Sequence, residues 1–320
     1  MTVLYLAVEM AILMFIGFFA RKKRIVDERF TTSLAAFIFN FVFPCLVVDA
    51  LQTKYKPGEI LNSGILLGIS VFSILLMFGL GFLVNRIMRK DDDLARMLLI
   101  NLMFTNFTYM AFPVMSVLYG DVGKFYIAVY TIPVRVLFYI LTPLILTLGR
   151  DKSVKLSAGQ IGIAAPKSFL SPPVLAVPAG LALYFSGLAL PVPIDAVIHS
   201  LAQVASPMGM VLCGVSIAAI PLSKIRKEYR IFLIAGLRLL LAPALGLGIY
   251  LLAARCFAID PIVAKVSILY LALPAAATTT VMAVKAQSDA TRAAQCVFVT
   301  TVFSVITLPV WSGILDLLVR

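Results

Sequence analysis

Asn101, Thr105, Asn106 and Thr108 interrupt an otherwise apolar stretch, 101–121, shortly before Pro113. Thr278, Thr279 and Thr280 follow Pro274 in a second such stretch, LPAAATTTVM. Amide and hydroxyl groups supply hydrogen-bond donors and acceptors without a full charge, which suits capture of a polar solute in apolar surroundings. Proline has no N–H and clashes with the preceding turn, so a helix running through either stretch is expected to break or kink. Backbone groups freed at membrane depth must be buried in protein or line a wet cavity. Half-helix N-termini aimed at that cavity would bring unsatisfied N–H groups and partial positive charge, which favour an anion. The plain alternatives are a kinked packing helix whose Asn side chains bond to neighbours, and Thr hydroxyls bonded back to their own helix.

Ionisable residues at membrane depth are costly and are functional candidates by default. Arg135 and Arg238 fall near the centres of apolar segments, Glu9 in the middle of the first, and Asp49 near the end of the second. Arg135 lies in the segment that directly follows the first interrupted stretch, and a guanidinium matches a carboxylate as a bidentate pair, so it is the expected counter-charge for an anionic substrate. A structural ion pair with Glu9 or Asp49, or capture by freed carbonyls, is the alternative. His199 precedes Gln203 at i, i+4 and offers either a proton relay or a packing histidine. Asp49 and Glu9 join His199 as candidates for ion or proton coupling, and Asn40 and Gln203 are candidate contacts to substrate from the opposite side. No P-loop, HExxH or carboxylate cluster stands near the breaks, so neither ATP use nor a metal enzyme is expected. No cofactor is expected; H+ or Na+ remains open as the coupling ion, the latter held by backbone carbonyls, since neither interrupted stretch supplies a carboxylate at its break.

The elements that must position these residues are membrane helices. Of the 320 residues, 62% are hydrophobic and 13% charged, a balance that marks a polytopic membrane protein embedded in the bilayer. Apolar runs of roughly twenty residues recur near 2–20, 31–53, 60–86, 94–118, 122–149, 168–187, 196–220, 228–252, 261–286 and 290–318. The fourth, sixth and ninth are interrupted by Pro or polar residues. Nineteen of the 27 Lys and Arg fall in loops on one side of this alternation, among them Arg21 to Arg24, Arg86 to Arg96, Arg150 to Lys167 and Lys224 to Arg230. The basic side is expected to be cytoplasmic, with both termini outside, and the excess is expected to set topology and not to bind nucleic acid. The first run lacks a basic region before it and a small-residue cleavage site after it, so it is expected to be a retained helix. Cys45, Cys213, Cys256 and Cys296 show no CxxC or CxxH spacing and read as packing residues.

Displacing the chain on itself by 168 residues sets 106–113 against 274–281 and Tyr119-Gly120-Asp121 against Gln287-Ser288-Asp289. Two halves of five helices each, 1–149 and 168–320, joined by a linker at 150–167, must insert with opposite orientation because five is odd. The expected fold is all-α: ten transmembrane helices in two inverted repeats, with broken fourth and ninth helices crossing near the midplane.

NFTYMAFPVMSVLYGD at 106–121 and LPAAATTTVMA at 273–283 resemble the fourth- and ninth-helix crossover stretches of the auxin efflux carrier family, which includes bacterial malonate and malate permeases. NFVFPCLVVDAL at 40–51, SPPVLAVPAGLAL at 171–183 and SPMGMVLCG at 206–214 are similar to further family stretches, so the resemblance spans essentially the whole chain. Thr108 stands where the family commonly has Gly, Ala275 where it has a second Pro, and Thr278 where it has the crossover Asn. The resemblance implies a sodium/proton antiporter-like fold, with a transport domain of helices 3–5 and 8–10 moving elevator-fashion against a scaffold of helices 1, 2, 6 and 7. That scaffold is often the homodimer contact.

The expected activity is transport of a small organic anion, a mono- or dicarboxylate such as malonate or malate or an auxin-like acid, across a bacterial inner membrane. Asn106, Thr108, Thr278, Thr279, Thr280 and Arg135 would form the site. Rival readings are a sodium-coupled symporter of bulky, bile-acid-type anions, a passive channel, and a membrane receptor or intramembrane enzyme without transport. The last lacks any paired catalytic residues.

Overall fold

With no water to bond it, a backbone in lipid satisfies its N–H and C=O groups within helices, and helix fills this chain. The computed structural model describes residues 2–52, 57–88, 93–107, 110–147, 170, 172–218, 228–285, 288 and 290–319; among them are no strands. The helices are α1 (Thr2–Lys22), α2 (Glu28–Phe37), α3 (Phe43–Leu51), α4 (Pro57–Met88), α5 (Asp93–Met103), α6 (Ala111–Thr147), α7 (Pro172–Ser186), α8 (Val192–Ala218), α9 (Tyr229–Gly236), α10 (Ala242–Ala253), α11 (Pro261–Ala272), α12 (Thr278–Lys285) and α13 (Ala290–Leu318). π-helical turns at Ile38–Val42 and Leu237–Leu241 join α2 to α3 and α9 to α10. Among the described residues, five stretches are long and apolar enough to cross a membrane: Glu28–Leu51, Leu61–Arg86, Ala111–Leu146, Tyr229–Ala253 and Arg292–Leu318. Val174–Ser186 and Pro261–Ala272 are shorter apolar helices.

Local signals explain several boundaries. Asp27 caps α2 by accepting from the Phe30 N–H at 2.8 Å, and Asp260 caps α11 by accepting from the Ile262 N–H at 2.7 Å, ahead of Pro261 at the first helical position. Gly120, at φ 60° and ψ −143°, kinks α6 where the fourth and fifth apolar runs were expected to separate. The sixth run, expected to be interrupted, is instead a continuous helix with Pro178 inside it: one lost backbone bond does not end α7. The expected linker at 150–167 lies outside the described residues.

Packing sorts the helices into neighbours. α1 packs along α8, and α3 packs on both α7 and α8. α4 packs on α5 and α6, α10 on α11, and α9 and α12 on α13. Glycines set the α1–α8 crossing: a Cβ at Gly17 would lie 2.1 Å from the Val211 carbonyl oxygen, and one at Gly214 would lie 1.9 Å from that of Met14. Small residues that let backbones touch are a common device for helix association in lipid.

Candidate functional site

The two interruptions meet. α5 stops at Met103 and α6 begins at Ala111; α11 stops at Ala272 and α12 begins at Thr278. Between them Thr105 and Ala275 form an isolated antiparallel bridge, and the Asn106 N–H donates to the Pro274 carbonyl at 2.7 Å. The Ala275 N–H, left without a helical acceptor, donates to Thr300 Oγ1 on α13 at 3.1 Å.

The two prolines act differently. Leu273, just before Pro274, is driven out of helical geometry to φ −67° and ψ 150°, which ends α11. Pro113 sits in the first turn of α6, where its missing N–H would have been unpaired in any case. It therefore helps to start the second half-helix, and the break lies upstream of it.

The polar residues at this junction are inside. Asn101, Thr105, Asn106 and Thr279 have no exposed surface, and Thr278 and Thr280 are half-buried. The Thr278 and Thr279 hydroxyls have no hydrogen-bond partner, so the back-bonding alternative does not describe them. A buried hydroxyl without a partner costs about 1–3 kcal/mol, which a ligand acceptor or donor placed there would recover. Both lie at the N-terminus of α12, which packs against α6. Thr108 lies outside the described residues.

Two arginines stand beside the junction, and their surroundings differ. Arg135, 3% exposed, holds its guanidinium carbon 5.7 Å from the Phe107 ring centroid and 5.6 Å from that of Phe112. Arg238, fully buried, donates through Nε to the Leu273 carbonyl at 3.2 Å and through Nη1 to the Leu102 carbonyl. Capture by freed carbonyls thus describes Arg238. Among the described residues the buried charged side chains are Arg135, Arg230 and Arg238, and no Asp or Glu is buried.

A cavity of about 290 Å³ opens between α3, α6 and α8, lined among others by Asp49, Phe112, Pro113, Ser116, Lys124 and Gln203. It reaches the first turn of α6 but not Asn106, Arg135 or the threonines of α12. Along its α3 and α8 wall, Asp49 Oδ1 lies 2.9 Å from His199 Nδ1, and His199 Nε2 lies 2.6 Å from Gln203 Nε2. The sequence offered Asp49 only an ion pair with Arg135; the fold brings it His199 from 150 residues away. The i, i+4 spacing of His199 and Gln203 was the visible half of this chain. Asn40 and Glu9 stand apart from it: Asn40 is exposed and donates to the Ala36 carbonyl of its own helix at 2.8 Å, and Glu9 is exposed on α1. Phe112, Ser116 and Lys124 were not singled out from sequence, because an aromatic, a serine and a surface lysine carry no spacing signal of their own.

Comparison with known proteins identifies the family. Residues 2–312 match the family described as "Membrane transport protein". The chain is 24% identical over 307 residues to a protein of Methanothermobacter thermautotrophicus named "Uncharacterized transporter", covering 95% of each. It is 26% identical over 299 residues to a Rhizobium meliloti protein named "Putative malonate transporter", covering 92% of this chain and 90% of that one. The chain is a multi-pass membrane transporter and belongs to the membrane transport protein family, that of the auxin efflux carriers.

Proposed function

We propose that the chain is a secondary transporter of a small organic anion, a mono- or dicarboxylate of the malonate or malate kind. The observation that carries this reading is the charge inside the protein: Arg135 and Arg238 are buried beside the junction, while no carboxylate is buried among the described residues. A buried charge is retained at such cost only when something offsets it. Arg238 has its carbonyls and Arg135 the Phe107 and Phe112 rings, over which a substrate carboxylate can add the counter-charge. Helix N-termini at Ala111 and Thr278 add partial positive charge, and the hydroxyls of Thr278 and Thr279 add bonding capacity. The printed name of the Rhizobium meliloti relative is in keeping with that substrate class.

In this reading ten helices form two inverted five-helix repeats. α4–α6 and α9–α13 make a transport domain that slides elevator-fashion against a scaffold of α1–α3, α7 and α8. The mutual packing of α1, α3, α7 and α8 supports the division. The cavity at Asp49, Phe112 and Lys124 is then a vestibule on the extracytoplasmic side, the side to which both termini are assigned, in a bacterial inner membrane. The scaffold helices are the expected homodimer contact. Asp49, His199 and Gln203 form a hydrogen-bonded chain on the vestibule wall that suits proton coupling.

Uptake of labelled malonate into proteoliposomes tests the reading. Saturable uptake is expected, and Asn106→Ala is expected to abolish it with normal folding. Non-saturating flux, or ligand binding with no flux, would instead support a channel or a receptor.

A further inference from the structure

The two half-helices that end at the junction, α5 and α11, bring their C-termini together at the Thr105–Ala275 bridge and around Arg238. Each such end carries unpaired carbonyls and roughly half a negative charge, so the pair amounts to about one. Two helix ends of this kind, with carbonyls converging at membrane depth, form the type of place where a transporter coordinates a monovalent metal ion. Here the position is filled by Arg238: its Nε and Nη1 reach the Leu273 carbonyl at the end of α11 and the Leu102 carbonyl in the last turn of α5, one from each half of the chain. One guanidinium charge matches the summed helix-end charge.

The local sequence holds Arg238 there. It lies in the π-helical turn Leu237–Leu241, a rare widened turn of the kind found frequently at functional sites. Pro243, five residues on, cannot donate to the Leu239 carbonyl as an ordinary helix residue would. That carbonyl accepts instead from the indole N–H of Trp311 on α13, at 2.8 Å. The π turn, Pro243 and Trp311 together fix the backbone from which Arg238 reaches both ends.

We infer that Arg238 is a resident cation, a positioning residue that takes the place of a coupling metal ion at the crossed helix ends, so that transport by this protein does not require Na+. The inference rests on the transporter reading but not on the substrate being malonate. It separates this chain from the sodium-coupled symporter expected as a rival, and it leaves a proton as the coupling ion open.

The test has two arms on the full-length protein. For the wild type, substrate flux and thermal unfolding are compared in NaCl and choline chloride at equal ionic strength. Equal flux and an unchanged unfolding temperature are expected; a saturable Na+-specific rise in either would overturn the inference. For Arg238→Ala, a lowered unfolding temperature and at least a tenfold loss of flux are expected, with saturable restoration of the unfolding temperature by low concentrations of guanidinium and no such effect on the wild type. Wild-type behaviour of Arg238→Ala, or a loss that no added cation restores, would overturn it. Should Arg238→Ala not fold, Arg238→Lys decides: an ammonium keeps the charge but not the fork, so a destabilised, Na+-independent protein is expected and wild-type stability would contradict the two-carbonyl role. A malonate-induced thermal shift in the wild type, read separately, reports on the substrate reading whatever these arms give.

Discussion

Phe112 lines the cavity between α3, α6 and α8 and also holds the Arg135 guanidinium carbon 5.6 Å from its ring centroid. A side chain of the proposed vestibule is therefore in contact with the cation proposed to bind the substrate. Aromatic faces stabilise a guanidinium by about 0.5–2 kcal/mol without engaging its edge N–H groups, through which it bonds carboxylates.

Arg135→Gln is expected to leave the protein folded and to weaken anion binding. Hydrogen bonds to charged groups contribute about 1.5–3 kcal/mol, equivalent to roughly ten- to hundredfold in affinity. Titration of purified wild-type and variant protein with malonate, followed by calorimetry, checks this. Arg135→Lys should recover part of the loss, because it keeps the charge without the bidentate fork. Unchanged affinity in Arg135→Gln would remove Arg135 from the site.

Thr279→Val separates a ligand-binding hydroxyl from a structural one. The Thr279 hydroxyl is buried without a partner, so replacing it by a methyl group of similar size removes a destabilising feature of the empty protein. The unfolding temperature is expected to stay the same or rise, while malonate affinity falls about three- to tenfold, on the order of 0.5–1.5 kcal/mol. A loss of stability in the absence of ligand would mean that the hydroxyl serves the fold.

Gly214→Ala acts on the α1–α8 crossing alone. Its Cβ would lie 1.9 Å from a backbone oxygen, which no rotamer change relieves. Overpacking of this kind costs about 1–3 kcal/mol. A lowered unfolding temperature with unchanged malonate affinity is expected, measured by thermal unfolding with and without ligand.

Glu228, at the entry to α9, gives a pH dependence with a definite sign. A hydrogen bond from Arg230 Nε at 2.9 Å holds its carboxyl below its ordinary value of 4.5. A lowered folded-state value means stability that is fully present above the ordinary value and is lost as pH falls through the lowered one. The carboxylate is part-buried at the start of the helix and still reached by solvent, so the contribution is expected to be below about 1 kcal/mol. Glu228→Gln should lower the unfolding temperature slightly at neutral pH and leave the two proteins alike at strongly acid pH.

Much of this arrangement was legible in the residues. Pro113 and Pro274, each set beside polar residues in an apolar run, located both interruptions, and the displacement of 168 residues matched them to each other. What lay beyond reach depends on contacts distant in sequence. Arg238 reaches carbonyls 35 and 136 residues away, and carbonyls have no sequence signature. Asp49 meets His199 across 150 residues. The starting role of Pro113 was hidden because a proline at the first turn of a helix and one that breaks a helix are the same letter. It is the direction of the break that distinguishes them.

The most direct measurement is thermal stabilisation of the purified protein by a panel of carboxylates, since a ligand that binds only the folded state raises its stability by mass action. At about a hundred times its dissociation constant, such a ligand adds about 2.7 kcal/mol. A saturable shift with malonate or malate, lost in Arg135→Gln and reduced in Thr279→Val, is the predicted result. Shifts confined to sterol-like acids, or none with any carboxylate while flux of an uncharged or cationic solute persists, would contradict an anion site at the crossed helices.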